Sequence, residues 1–323
     1  MIHSKIVFLH GLQENLVKLV FSAFAQNQNL TAISTKASES EQIKALHDAD
    51  FIMIYRANPS PEVLKSAAKA RLVQLLSAGY DGLNLQLLEE LGIPCANNGG
   101  ANSCAVADQT VLSILALYRR FIPVDHDVRT GAWNAGIDGL NTFELAGKRV
   151  GIVGFGSIGQ QVARRVQAFD AHVFYFNRTP LSHALETQLD VRYLELDALF
   201  KTCDVISLHV PLTQQTHHLV NATRLNLMKS TAILINTSRG AVIDEAALIQ
   251  ALMNKQIAGA GLDVFEKEPV DASNPLLSMQ HVVASPHSAG TTSDTWIRRG
   301  SFARQNFERV AEGHAPLCVI HAS

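Results

Sequence analysis

The sequence predicts an α/β protein built on doubly wound parallel sheets. Three observations carry that expectation: short apolar runs alternate with helical patterns, a glycine-rich turn over 149–159 joins a strand to a helix, and the composition suits two packed cores. With 323 residues, 47% hydrophobic and 17% charged, the chain is long enough for two ordinary domains, and disordered, fibrous and repetitive classes are excluded. Its 27 basic and 29 acidic residues leave a net charge of -2 with no Lys/Arg run, so a small molecule is the expected partner in place of nucleic acid or membrane. No apolar run approaches about 18 residues and residues 1–10 are too brief for a signal segment, which points to a soluble, cytoplasmic protein. Cys95, Cys104, Cys203 and Cys318 lack paired or metal-site spacing and read as buried reduced thiols, so neither disulfide nor metal is expected.

In chain order, KIVFLH at 5–10, FIMIYR at 51–56 and RLVQLLS at 71–77 read as strands of a first open α/β layer. Residues 97–101 make a polar, Gly-rich joint, and a strong helix over 105–121 follows until Pro123 stops it. The stretch 124–146 has little periodicity and carries Gly131, Trp133, Gly136 and Gly139, so an extended surface connection is expected. Strands at 150–153, 172–176, 205–208, 232–235, 258–262 and 282–284 alternate with helices, which specifies a parallel, doubly wound second domain. A last helical pattern from about 291 to 313 comes too late for that sheet and returns to the first domain. The domains expected are therefore 1–100 with 290–323, and 101–289.

In RVGIVGFGSIG, Gly154 allows a tight turn, Gly156 leaves room for a pyrophosphate against bare backbone, and Gly159 lets the helix lie close to the strand. Free amides at Ser157 and Ile158 and the helix dipole then face the anion. This is the pattern of a Rossmann dinucleotide-binding domain, here inserted into the discontinuous first domain. In HVFYFNRTP, Asn177 stands where NAD-specific sites carry Asp or Glu, and Arg178 and Thr179 offer a guanidinium and a hydroxyl to a 2′-phosphate. NADP is the expected cofactor, with NAD second.

Three strand ends each deliver an ionisable group: Arg239 after AILINTS, Glu268 after GLDVFEK and His287 after HVVASP. Singly, each has an ordinary structural role open to it, Arg239 as a partner for Asp244, Glu268 as a loop charge, His287 as a turn residue. Their shared sheet edge groups them. His287 suits a proton donor for hydride transfer to a carbonyl, Glu268 suits a partner that holds its tautomer and favours the imidazolium, and Arg239 suits a planar fork for a carboxylate. Asp263 reads as a buried cap or as an acceptor for a nicotinamide carboxamide, and His209 and Pro211 as a strand stop or as the floor under the nicotinamide. His217 and His218 are adjacent, with no acidic or Cys residue near them in sequence, and read as surface residues.

VGIVGFGSIG, LHVPLTQQTHHLVNATRLNLMKSTAILINTSRGAVIDEAAL, GAGLDVFEKEP and SPHSAGTT together resemble the D-isomer-specific 2-hydroxyacid dehydrogenases. The resemblance runs through nearly the whole chain. It implies a flavodoxin-like substrate domain beside the Rossmann domain, catalytic roles for Arg239, Glu268 and His287, and substrate contacts from Arg239, His287 and the turn of Ser77, Ala78 and Gly79. It also implies cofactor contacts along Val210, Thr216, Thr237, Ser238, His287 and Gly290, and a homodimer reached through the connection 129–139. Asp108 stands where Glu is usual and Trp296 where Arg is common, so local repacking is expected at both. Glu268 speaks against formate dehydrogenases of the wider superfamily, which carry Gln there, and regulatory extensions of long phosphoglycerate dehydrogenases are not expected.

The activity implied is reduction of glyoxylate, hydroxypyruvate or a similar small 2-oxo acid to the D-2-hydroxy acid. A short D-3-phosphoglycerate dehydrogenase and a D-lactate dehydrogenase are the alternatives within the family. A dinucleotide-sensing, corepressor-like binding protein is the alternative outside catalysis.

Overall fold

The computed structural model describes residues 4–24, 29–133 and 139–322, and the chain divides into two compact units, Met1–Asn102 with Thr291–Ser323, and Ser103–Gly290. In the first unit, β1 (Ile6–His10), β2 (Leu30–Ser34), β3 (Phe51–Tyr55), β4 (Leu72–Leu75) and β5 (Cys95–Ala96) form a parallel sheet. Every residue of β1 and β3 is buried, because helices cover both faces of the sheet and leave no solvent side for polar alternation. The order 2-1-3-4-5 is flavodoxin-like, so the reversal between β1 and β3 opens a crevice at the strands' carboxyl ends. β2 and β5 had no clear signal in the sequence: β2 is half-exposed and β5 spans only Cys95 and Ala96.

The second unit holds β6 (Arg149–Val153), β7 (His172–Phe176), β8 (Val191–Tyr193), β9 (Val205–Leu208), β10 (Ile233–Asn236), β11 (Gly259–Leu262) and β12 (Val282–Ala284). Among the described residues they form a seven-stranded sheet in the order 12-11-10-9-6-7-8, all pairs parallel. β6 lies at the centre with β7 and β8 on one side and β9 to β12 on the other, which is the Rossmann arrangement and puts the switch point at the end of β6. The three-residue β8 is too short to announce itself by periodicity. β13 (Val319–Ile320) closes the chain in the first unit, antiparallel to β5.

The helix expected over 105–121 is two helices, Ser103–Tyr118 and Phe121–Arg129. Arg120, with φ +48, breaks the first, and Pro123 falls in the first turn of the second, where its missing N–H forfeits no helical bond. The expected extended connection therefore begins as a helix. Gly136 lies outside the described residues, Gly139 starts a short 3-10 turn, and Trp133 is 83% exposed. Asp108 pairs with Arg165 at 2.6 Å, a reach the shorter carboxylate still makes. Trp296 is buried on helix Ser293–Ala311, edge-on to Tyr55, and the buried Arg299 guanidinium lies 4.4 Å from the Trp296 ring.

All four cysteines are free, but only Cys95 and Cys203 are buried, with their thiols pushed up to about 12 by desolvation. Cys104 and Cys318 are exposed, which corrects the reading of four buried thiols. Cys104 faces outward near the start of a mostly apolar helix, where apolar character alone does not decide burial. Among the described residues, no helix is long and apolar enough to cross a membrane.

Candidate active site

At the end of β6 the chain enters the glycine turn. Gly154 has φ +93, and a Cβ there would lie 2.6 Å from the His209 carbonyl oxygen, which reserves the position for glycine. A Cβ on Gly159 would meet the Gly154 carbonyl at 2.4 Å, so the helix Ser157–Gln167 can start this close only without a side chain. Over Gly156 the space is open for 4 Å, and the helix begins with no side-chain cap. Open space above uncapped amides at Ser157 and Ile158 fits a pyrophosphate, so the turn fits a dinucleotide.

The neighbouring strand ends build the rest of this edge. Beyond β7, Asn177 Oδ1 accepts the Phe155 N–H at 2.7 Å and braces the glycine turn, while Arg178 and Thr179 are exposed with no partner among the described residues. Beyond β9, His209 Nε2 meets Ser207 Oγ at 2.8 Å, and Nδ1 is buried without a partner among the described residues. Burial pushes the His209 imidazole down to about 3, so it stays neutral. Val210 follows, and Thr216 Oγ1 closes the loop by donating to the Pro211 carbonyl at 2.6 Å and accepting the Thr213 N–H at 2.7 Å.

Beyond β10 the buried Asn236 folds the chain. Its Oδ1 accepts the Ser238 N–H at 3.0 Å and Oγ at 2.8 Å, and its amide donates to the Arg239 carbonyl at 2.9 Å. Thr237 Oγ1 lies 3.1 Å from Thr110 Oγ1, and half-buried Arg239 donates through Nη1 to the Ser238 carbonyl at 2.8 Å. Asp244 caps helix Glu245–Met253 by accepting the Ala247 N–H at 3.0 Å.

Beyond β11, Asp263 is 3% exposed and binds the loop after β12. Oδ1 accepts Ser285 Oγ at 2.6 Å and the Ser288 N–H at 2.9 Å, and Oδ2 accepts the Ala289 N–H at 2.9 Å. Its carbonyl also accepts the His287 N–H at 2.7 Å. His287 is thereby held at φ +52 with Nδ1 2.8 Å from Glu268 Oε2, and Glu268 Oε1 accepts the Phe265 N–H at 3.1 Å. A carboxylate on Nδ1 makes that nitrogen the donor to Glu268 and leaves Nε2 as the nitrogen for proton transfer. Gly290 ends the unit.

The structure thus brings Arg239, Glu268 and His287 to one sheet edge with the glycine turn. In the first unit, the turn after β4 has Ser77 Oγ donating to the Gly79 carbonyl at 2.6 Å, while the Ala78 and Gly79 N–H groups find no acceptor among the described residues. Sequence reasoning missed Asn236, whose signal is an amide ending the apolar run AILIN, and Glu245, which accepts the Glu266 N–H at 2.9 Å and the Asn274 amide at 2.7 Å. It also separated His217 and His218 from any acidic group, whereas Glu266, 48 residues on from His218, lies 2.7 Å from its Nε2.

Residues 111–289 match the family model of the D-isomer specific 2-hydroxyacid dehydrogenase, NAD binding domain. The chain belongs to the D-isomer-specific 2-hydroxyacid dehydrogenase family. It is 38% identical to a glyoxylate reductase of Aeropyrum pernix over 80% of this chain and 79% of that one. It is 34% identical to a hydroxypyruvate reductase of Thermotoga maritima over 84% and 88% of the two chains. Among solved structures it resembles the apo D-lactate dehydrogenase of Escherichia coli, at a TM-score of 0.81 and 26% identity over 98% of this chain and 99% of that one.

His209 gives this edge a pH signature. Its folded pKa of about 3 lies below the ordinary 6.5, so the unfolded chain takes the proton first as pH falls. The stabilisation is complete above pH 6.5 and declines from there toward pH 3. The urea midpoint should therefore drop on acidification below 6.5, and drop less in His209→Gln, which keeps an amide near Ser207. Parallel declines in the two proteins would assign the acid sensitivity elsewhere.

Proposed function

We propose that this chain reduces a small 2-oxo acid, with glyoxylate or hydroxypyruvate as the first substrates, to the D-2-hydroxy acid at the expense of NAD(P)H. The observation that carries the proposal is the Glu268–His287 contact of 2.8 Å, on the same sheet edge as Arg239 and a glycine turn that fits a dinucleotide. The two relatives named above are a glyoxylate reductase and a hydroxypyruvate reductase, which favours these substrates over lactate or phosphoglycerate chemistry. When bound, the reduced dinucleotide supplies the hydride.

The chain's own residues do the rest. Arg239 grips the substrate carboxylate as a planar fork and polarises the adjacent carbonyl. His287 Nε2 gives its proton to the carbonyl oxygen, and Glu268 holds the ring's tautomer and stabilises the imidazolium before transfer. The Ala78 and Gly79 amides are assigned to the substrate carboxylate, as the resemblance implies. Neutral His209, with Val210 and Pro211, is assigned the floor under the nicotinamide. Asp263 has spent three acceptor sites on its own chain, so its role toward the carboxamide is limited to Oδ2.

Purified protein should oxidise reduced dinucleotide steadily with glyoxylate or hydroxypyruvate, and His287→Gln should lower kcat by about 100-fold or more while cofactor affinity stays near wild type. Tight dinucleotide binding with no turnover on any 2-oxo acid would replace this reading with that of a dinucleotide sensor.

NADPH is assigned as the preferred cofactor. Asn177 removes the carboxylate that would repel a 2′-phosphate, and exposed Arg178 and Thr179 stand beside it with their polar groups unengaged among the described residues. kcat/KM should be higher with NADPH than with NADH, and Arg178→Ala should remove most of that preference through KM. A wild type that favours NADH tenfold, or an unchanged ratio in the variant, contradicts the assignment.

A cytoplasmic homodimer is proposed as the working form. Trp133 at 83% and Leu140 at 81% exposure, with Phe121 and Ile122 also exposed, are large apolar side chains that a lone subunit would leave in water. Light scattering should give twice the chain mass, and a monomer at micromolar concentration would count against it.

A further inference from the structure

We propose that His217, His218 and Glu266 form a binding site for a divalent borderline cation, Zn2+ before others, on the cofactor-binding unit. No part of the proposed reduction uses these residues. Neighbours in an extended chain point to opposite sides, so an adjacent His pair ordinarily cannot converge on one ion. Here it does. His218 has φ +49 and its N–H is held by the Ala241 carbonyl at 2.8 Å, which folds its ring onto that of His217 with centroids 4.0 Å apart and planes 28° from parallel.

The third donor comes from a separate loop. Glu266 Oε1 lies 2.7 Å from His218 Nε2, and one ligand atom from each of the three residues falls within 4.8 Å of the others. Two donors on a tetrahedral Zn2+ sit about 3.3 Å apart, at metal–ligand lengths of about 2.0–2.2 Å, so side-chain rotations that close the widest separation by up to about 1.5 Å and open the His218–Glu266 pair complete the set. The backbones need not move. The His217 N–H is bound to the Thr213 carbonyl at 2.9 Å, and the Glu266 N–H to Glu245 Oε2 at 2.9 Å. His217 and Glu266 are exposed and His218 is half-buried, so an ion has a path in and a fourth position remains open to water.

Two imidazoles and one carboxylate select a cation of intermediate softness. Mg2+ and Ca2+ prefer all-oxygen sets, whereas Zn2+ takes His and Glu readily, and binding exchanges any protons on the ligands for the metal without redox change. A bound ion would tie residues 213–218 to the loop 263–268, because Glu266 follows Phe265, whose N–H holds Glu268.

The test uses the full chain after chelator treatment, titrated with ZnCl2 by calorimetry and with Co2+ by visible absorption. Expected are one equivalent of Zn2+, a tetrahedral-type Co2+ spectrum, and a higher melting temperature with Zn2+. His217→Ala is the decisive variant, since its exposed ring touches only the His218 ring among the contacts described, and it should weaken Zn2+ by about tenfold or more. Glu266→Gln should also weaken it and shift the Co2+ spectrum. Absence of binding at millimolar Zn2+ overturns the site, as does binding that survives both substitutions, which would place the ion on other histidines or on the exposed Cys104 and Cys318.

Discussion

The reaction edge depends on one buried carboxylate. Asp263 follows the apolar strand β11, where an unpaired charge would be prohibitively costly, and three of its acceptor sites are taken by Ser285 Oγ and the Ser288 and Ala289 amides. Those bonds reach across to the segment after β12. They bend it so that His287 takes a left-handed φ, a conformation most residues avoid, and aim its ring at Glu268. The desolvation cost of Asp263 and the backbone cost at His287 are thus two sides of one arrangement. Removing the carboxylate would release both.

A second constraint joins the other half of the site. A Cβ on Gly240 would lie 1.9 Å from the Phe265 carbonyl carbon and oxygen, so the turn carrying Arg239 rests directly on the backbone that leads to Glu268. Asn236 folds that turn from below, and Glu245 pins the Glu266 N–H and the Asn274 amide together. Arg239, Glu268 and His287 come from three strand ends: the Arg239 turn rests on the backbone at Phe265, Glu268 accepts the Phe265 N–H and meets His287 Nδ1, and the His287 N–H is held by the Asp263 carbonyl.

Much of this was legible in the sequence because the physics is local. The strands β6, β7, β9 and β12 announce themselves as apolar runs, and the glycine turn states its own requirement through residues that cannot carry a Cβ. Legibility failed where the deciding partner is distant. β8 gains its strand conformation from pairing with β7, Arg120 breaks a helix that its composition would continue, and Cys104 is exposed on a helix whose residues are mostly apolar. The site followed the same division. Arg239, Glu268 and His287 were visible as ionisable groups at strand ends, whereas Asn236 and Glu245 matter only through hydrogen bonds to loops that sequence spacing does not bring together. The His217, His218 and Glu266 group is the extreme case, since a positive φ at one residue aligns what sequence adjacency would separate.

The ionisable groups along this edge divide by where their charge is spent. Asp263 is satisfied by its own chain, Asp244 is committed to a helix cap, and His209 is kept neutral by burial. Two of these carboxylates are therefore committed to the chain itself, and the Glu268 carboxylate is turned onto His287. Arg239 is oriented by its Nη1 bond to the Ser238 carbonyl, while the Glu268 carboxylate divides its two oxygens between the Phe265 N–H and His287 Nδ1. Asn177 adds no charge of its own to this edge, and its Oδ1 braces the glycine turn by accepting the Phe155 N–H.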